Sequence, residues 1–146
     1  MDALEHTHAT ALEDGFFVVE HTGSCQLVAT CAAQHIENDR HPDGGQLGWL
    51  VSDPAHTGKR LGTIVSATVT NRHFEAEYAL PYLQTNDFRF EAIAVYLKLG
   101  WRPYLFAEDM EPRWRDVYKG MGRTYTSGDV VVRRVAITAS SRRIET

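Results

Sequence analysis

Residues 45–101 constrain this chain more than any other stretch. An apolar run, GQLGWLVS, is closed by Asp53-Pro54 and followed by the glycine-bearing turn Thr57-Gly58-Lys59-Arg60-Leu61-Gly62-Thr63. A helical period begins at Leu61, a second short apolar run follows, and a second helical period stops at Gly100. Switching between the two periods predicts helices packed against a sheet. The turn has chemical meaning of its own. The first N–H groups of a helix lack partners within it, the helix dipole makes that end electropositive, and glycine lets a ligand come close to the backbone. The turn therefore reads either as an anion cradle suited to a pyrophosphate or as a plain strand-to-helix connection. It has neither the spacing of a Walker loop nor the G-x-G-x-x-G of a dinucleotide fold.

The chain has 146 residues, enough for one domain with a real core. Apolar residues make up 43% and charged residues 23%, an ordinary globular balance. The net charge of −4 argues against general nucleic-acid binding. The arginines Arg133, Arg134, Arg142 and Arg143 read as a solvated basic tail. No apolar run reaches the roughly 20 residues needed to span a bilayer, so no membrane partner is expected. The opening MDALEHTHATALEDG has neither a basic n-region nor an apolar core, so a signal peptide is not expected there. Only Cys25 and Cys31 are present, which fits a reducing, cytoplasmic setting. Seven histidines are scattered without familiar ligand spacing, and no metal is expected.

Along the chain, residues 1–14 are weakly patterned and read as a loosely ordered N-terminus. Strands are predicted over 16–19, 26–36, 46–52 and 78–85, with shorter ones over 103–107 and 130–137. Helices are predicted over 61–77, from Phe90 to Gly100, and over 111–120. Leu61, Ile64, Val65 and Thr68 recur at helical spacing and carry the prediction of the first helix. Gly48 hints at a bulge or a close backbone approach. Pro81 within a strand demands an edge or a splayed partner. Residues 123–146 form a C-terminal extension to a single domain covering 1–146.

Tyr96 lies one turn before the Gly100 stop. A phenol can protonate a leaving thiolate, and it can equally be a core aromatic. Taken together, the turn 57–62 and the run Ala92-Ile93-Ala94-Val95-Tyr96-Leu97-Lys98-Leu99-Gly100-Trp101 resemble the two signatures of the GNAT superfamily of acyl-CoA-dependent N-acyltransferases. The resemblance covers 45–103 best and reaches back to Gly15.

That resemblance implies an α/β (α+β) fold with a mixed sheet, mostly antiparallel, a central parallel pair that splays, and flanking helices. It implies acetyl-CoA as cosubstrate. Leu50, Val51 and Ser52 would present backbone groups to the pantetheine arm, with the Val51 N–H facing the developing oxyanion. Backbone from Gly58 through Lys59, Arg60, Leu61 and Gly62 to Thr63 would bind the diphosphate. Tyr96 would protonate the departing thiolate after direct attack by a primary amine, small or peptidic. Thr57 stands where the family has Arg or Gln, Arg60 where it has glycine, and Arg89 where an asparagine often touches the cofactor. His35 and Glu37 are candidate bases through a water. The family's first strand and two helices have no counterpart in the pattern of 1–14, so an N-terminally shortened fold is expected. A homodimer covering the strand at 16–20 follows from that. The alternative reading is a non-catalytic acyl-CoA-binding module with a degenerate acceptor site.

Overall fold

The computed structural model describes residues 9–126 and 134–138. They fall into two compact units that divide after Leu83. Most of the basic tail, including Arg133, Arg142 and Arg143, lies outside the described residues, as do residues 1–8.

The first unit is a sheet with one long helix. Strand β1 (Ala11–His21) pairs antiparallel with β2 (Gln26–His35), and β2 pairs antiparallel with β3 (Gly45–Ser52). Strand β4 (Tyr82–Asn86) begins beside β3 in parallel register, Gln46 with Tyr82 and Leu47 with Leu83. Helix α1 (Leu61–Glu75) connects them, the crossover that a parallel pair requires. β1 starts earlier than the pattern suggested, so residues 11–14 are strand. A register shift between Ala11 and Phe16 contains Asp14 at φ 53°. That bulge hid the strand, because it breaks the alternation that sequence reading relies on.

Helix α1 buries Val65, Ser66, Val69, Thr70 and His73. Of the positions whose spacing predicted the helix, Val65 is buried while Ile64 and Thr68 face solvent, and the Thr68 hydroxyl donates to the Ile64 carbonyl at 2.8 Å. Small and polar side chains line the inner face because the opposing part of β2 carries Ala29, Cys31 and Ala33, all buried. Short side chains on both surfaces let helix and sheet approach closely, so the apolar period alone misplaces the face. β4 also starts later than expected. Pro81 precedes the strand, where its missing N–H costs no ladder bond. The Leu80 N–H donates to the Asp43 carboxylate at 2.9 Å, fixing the approach to the strand.

The second unit holds α2 (Phe90–Lys98), α3 (Met110–Gly120) and a short parallel pair, β5 (Arg102–Pro103) with β6 (Arg134–Thr138). The strand expected over 103–107 shrinks to β5. Helix α2 buries Ile93, Tyr96 and Leu97. It ends as its sequence predicts: Gly100 takes φ 89°, its N–H donates to the Leu97 carbonyl at 3.1 Å, and the Trp101 N–H donates to the Tyr96 carbonyl at 3.0 Å. These two bonds and a left-handed glycine are a Schellman stop. Trp101 and Trp114 are fully buried, and Arg113 of α3 pairs with Asp87 at 3.3 Å.

Candidate active site

Strand β3 changes character halfway along. Its ladder with β4 comprises Gln46–Tyr82 and Leu47–Leu83, and β3 then runs on to Ser52. On its other side the register with β2 slips between Thr30 and Ala32, so Trp49 and Leu50 together oppose Cys31. Trp49 takes φ 56°, a left-handed conformation unusual for a bulky residue. Its carbonyl accepts from the Thr30 hydroxyl at 3.0 Å. In a trans peptide the C=O and the following N–H point in opposite directions, so the Leu50 N–H faces away from β2.

The rest of the ladder fixes the neighbouring groups. The Asp53 N–H donates to the Val28 carbonyl at 2.8 Å, while Ser52 pairs with Ala29 and Val51 with Thr30. Antiparallel pairs alternate between bonded and non-bonded. The alternation turns the Val51 N–H inward to Thr30 and the Ser52 N–H outward. The outward donors on this edge are therefore Leu50 and Ser52. Gly48 confirms its hint: a Cβ there would run into the Gln34 side-chain oxygen, and the bulge follows at once.

Beyond β3, Asp53 caps a single 3-10 turn, Pro54–His56, accepting from the Ala55 N–H at 2.9 Å. The Thr57 hydroxyl donates to the Pro54 carbonyl at 2.7 Å, which engages that side chain within the turn. Gly58 adopts φ 87°, and the Lys59 ammonium donates to His56 Nδ1 at 2.8 Å. Arg60 takes φ 56° at the helix N-cap and offers no side-chain cap. A left-handed site favours glycine, and here Arg60 occupies it. The first helical bond runs from the Ile64 N–H to the Arg60 carbonyl, leaving the N–H groups of Leu61, Gly62 and Thr63 ahead of the ladder. No atom comes within 4 Å of a Cβ built on Gly58 or Gly62. The turn is thus open, electropositive and made of backbone.

Other candidates resolve by burial. Cys31 is fully buried, and desolvation pushes its thiol up to about 12, so it is no nucleophile. His73 is fully buried in α1, and desolvation pushes it down to about 4, with the backbone of Gln46 and Gln34 opposing part of that shift. His35 Nδ1 lies 2.8 Å from the Tyr78 hydroxyl, and the Tyr82 hydroxyl donates to the Ile36 carbonyl at 2.7 Å. These groups gather at the paired end of β3, away from the bulge. In the second unit, Tyr96 is 4% exposed, and Arg89 stands exposed at the N-cap of α2 with no side-chain cap bond. Among the described residues no cluster of three or more His, Cys, Asp or Glu could hold a metal, and no helix is long and apolar enough to cross a membrane.

The sequence reading missed Thr30, which shapes the bulge, and His21, which touches His56 with ring centroids 4.8 Å apart. Neither carries a sequence signal, since both come from strands remote from the turn.

Comparison with known proteins gives these features a family. Among solved structures, the fold resembles Arabidopsis thaliana glucosamine-6-phosphate N-acetyltransferase, at 20% identity and a TM-score of 0.54 over 71% of this chain and 70% of that one. A Trypanosoma brucei acetyltransferase matches at 19% identity and a TM-score of 0.51, over 63% of this chain and 64% of that one. A Mycobacterium tuberculosis protein solved in complex with CoA matches at 18% identity and a TM-score of 0.51, over 77% and 60%. The chain thus spans under two thirds of the length of two of these three relatives. No curated protein matches. The family model described as "Acetyltransferase (GNAT) family" matches residues 1–101, including the bulged strand, the open turn and α2. By that match over more than half its length, the chain belongs to the GNAT acetyltransferase family.

Proposed function

We propose that this protein is an N-acetyltransferase that moves an acetyl group from acetyl-CoA to a primary amine by direct attack. The observation that carries the reading is the pairing, on consecutive elements, of a bulged strand edge with outward N–H donors and an uncapped helix start flanked by open glycines. The first suits a pantetheine arm and thioester; the second suits a diphosphate. The Leu50 N–H, directed outward by the Thr30–Trp49 bond, serves as oxyanion donor in place of Val51, with Ser52 as the next contact along the arm. Tyr96 acts as general acid to the departing thiolate, and Arg89 contacts the cofactor. With Cys31 buried and unreactive, an acyl-enzyme has no support there. Residues 1–146 act as one catalytic domain, a reading favoured by a family match that runs across both units. The two free cysteines favour a cytoplasmic setting.

The partner of β1 is a second copy. β1 is the outermost strand of its sheet, and it exposes Phe16 and Val18. Light scattering at micromolar concentration should give twice the monomer mass, and Val18→Glu should return it to the monomer mass.

The decisive assay is thiol release from acetyl-CoA across a panel of amines. Turnover that falls at least 100-fold in Tyr96→Phe supports the enzyme. Tight CoA binding without turnover on any amine assigns the chain instead to a non-catalytic acyl-CoA-binding module.

A further inference from the structure

Three residues from two segments meet beside the open turn. His21 closes β1, His56 ends the 3-10 turn, and Lys59 follows Gly58. The two imidazole centroids lie 4.8 Å apart at an interplanar angle of 55°. The Lys59 ammonium sits 2.8 Å from His56 Nδ1. An ammonium can only donate, so His56 Nδ1 accepts, and the proton of the neutral ring resides on Nε2. His21 Nδ1 likewise accepts the Ser24 N–H at 3.2 Å and lies 2.9 Å from the Ser24 hydroxyl, leaving its Nε2 as donor. The three groups together offer two imidazole N–H donors and an ammonium.

The cluster carries no compensating acid. Among the described residues neither Lys59 nor Arg60, the next residue, has a carboxylate within ion-pair distance. The one carboxylate in the turn, Asp53, is occupied as the Ala55 cap. Cationic and donor groups gathered in this way without a carboxylate partner, in a chain of net charge −4, suit a small dianion. The diphosphate is already matched to backbone N–H groups further along the turn. A separate set of side-chain donors next to that cradle suits a second, terminal phosphate on the same ligand.

We propose that His21, His56 and Lys59 form a phosphomonoester subsite that reads the ribose 3′-phosphate of coenzyme A, so that the protein distinguishes coenzyme A from its 3′-dephospho form. This rests on the proposed use of acetyl-CoA and adds a specificity determinant contributed partly by the β1–β2 hairpin. Calorimetric titration of the full chain tests it. The wild type should bind coenzyme A roughly tenfold more tightly than 3′-dephospho-coenzyme A, a modest factor because the contacts are solvent-exposed. The double variant His21→Ala/Lys59→Ala should bind both alike, at the wild-type affinity for the dephospho form. Wild-type affinities that are equal for the two ligands overturn the subsite and leave the acetyltransferase reading intact. An undiminished preference in the double variant overturns it as well. Equal affinities together with saturable binding of inorganic phosphate would assign the cluster to free phosphate instead. Failure to bind either ligand would remove both the subsite and the reading beneath it.

Discussion

The two ends of β3 follow opposite rules. At its start, Gly45 to Leu47 are enclosed: Leu47 is 3% exposed, Tyr82 is 1% exposed, and the Tyr82 ring stacks on His41 with centroids 3.7 Å apart. The Tyr82 hydroxyl bonds to the Ile36 carbonyl and lies 3.1 Å from the Gln46 side-chain oxygen. At its far end the strand bulges, Trp49 is strained into a left-handed conformation, and Val51 is 57% exposed. One end is buried and supplies stability; the other turns backbone donors outward. Buried polar groups without partners cost about 1–3 kcal/mol each, whereas outward donors on the exposed far end can bond to water.

The contrast predicts that substitutions at the two ends separate stability from binding. Leu47→Ala, at the enclosed end, should cost about 3 kcal/mol in urea unfolding, with coenzyme A affinity of the folded protein changed by less than about threefold. Comparable losses of affinity would show that the ends are not independent. Gly62→Asp is the converse. Its Cβ meets nothing, and an acid suits the first turn of a helix. Thermal unfolding should stay close to wild type, while acetyl-CoA binding by calorimetry should weaken about 100-fold, near 2.7 kcal/mol.

The third test uses pH and belongs to the enclosed end. His73 is pushed down to about 4 in the folded protein, against about 6.5 when exposed. The unfolded chain therefore binds more protons between those values. The stability that neutral His73 contributes is present above about pH 6.5 and is lost as pH falls toward 4. Its share of the loss between pH 7 and pH 5 should be about 2 kcal/mol, read as the difference in slope between wild type and His73→Phe in urea unfolding. Parallel curves would mean that His73 does not titrate as its burial dictates. The smallest effect sits at the open end. Arg60→Gly should raise stability by about 1 kcal/mol by relieving a left-handed side-chain residue. A fall in melting temperature would mean that the Arg60 side chain holds the turn through contacts stronger than that strain.

Much of this was legible in the residues themselves. The turn, α2 and its glycine stop, and the early hairpin all follow from local chemistry: Asp-Pro, Gly58, Gly100 and the apolar runs act over a few residues. The reading failed where a partner far along the chain decided the outcome. The inner face of α1 could not be read from the apolar spacing, because Ala29, Cys31 and Ala33, buried on β2, leave room for small and polar side chains such as Ser66 and Thr70. The strand expected from 78 begins at Tyr82 because Asp43 holds the Leu80 N–H. The Val51 N–H, which the family resemblance implies as an outward donor, is turned inward by the alternation of the β2–β3 ladder.

By itself, then, the sequence determined which elements exist, their order, and where the chain must open a helix on a bare, glycine-lined turn. These properties are set by dihedral preferences and periodicities spanning only a few residues. Tertiary structure decided which backbone groups point outward at the bulge and which imidazoles gather beside the turn. Those outcomes depend on register and on contacts such as Thr30 with Trp49 and His21 with His56. Their partners are separated along the chain by more residues than any local preference spans, so only folding brings them together.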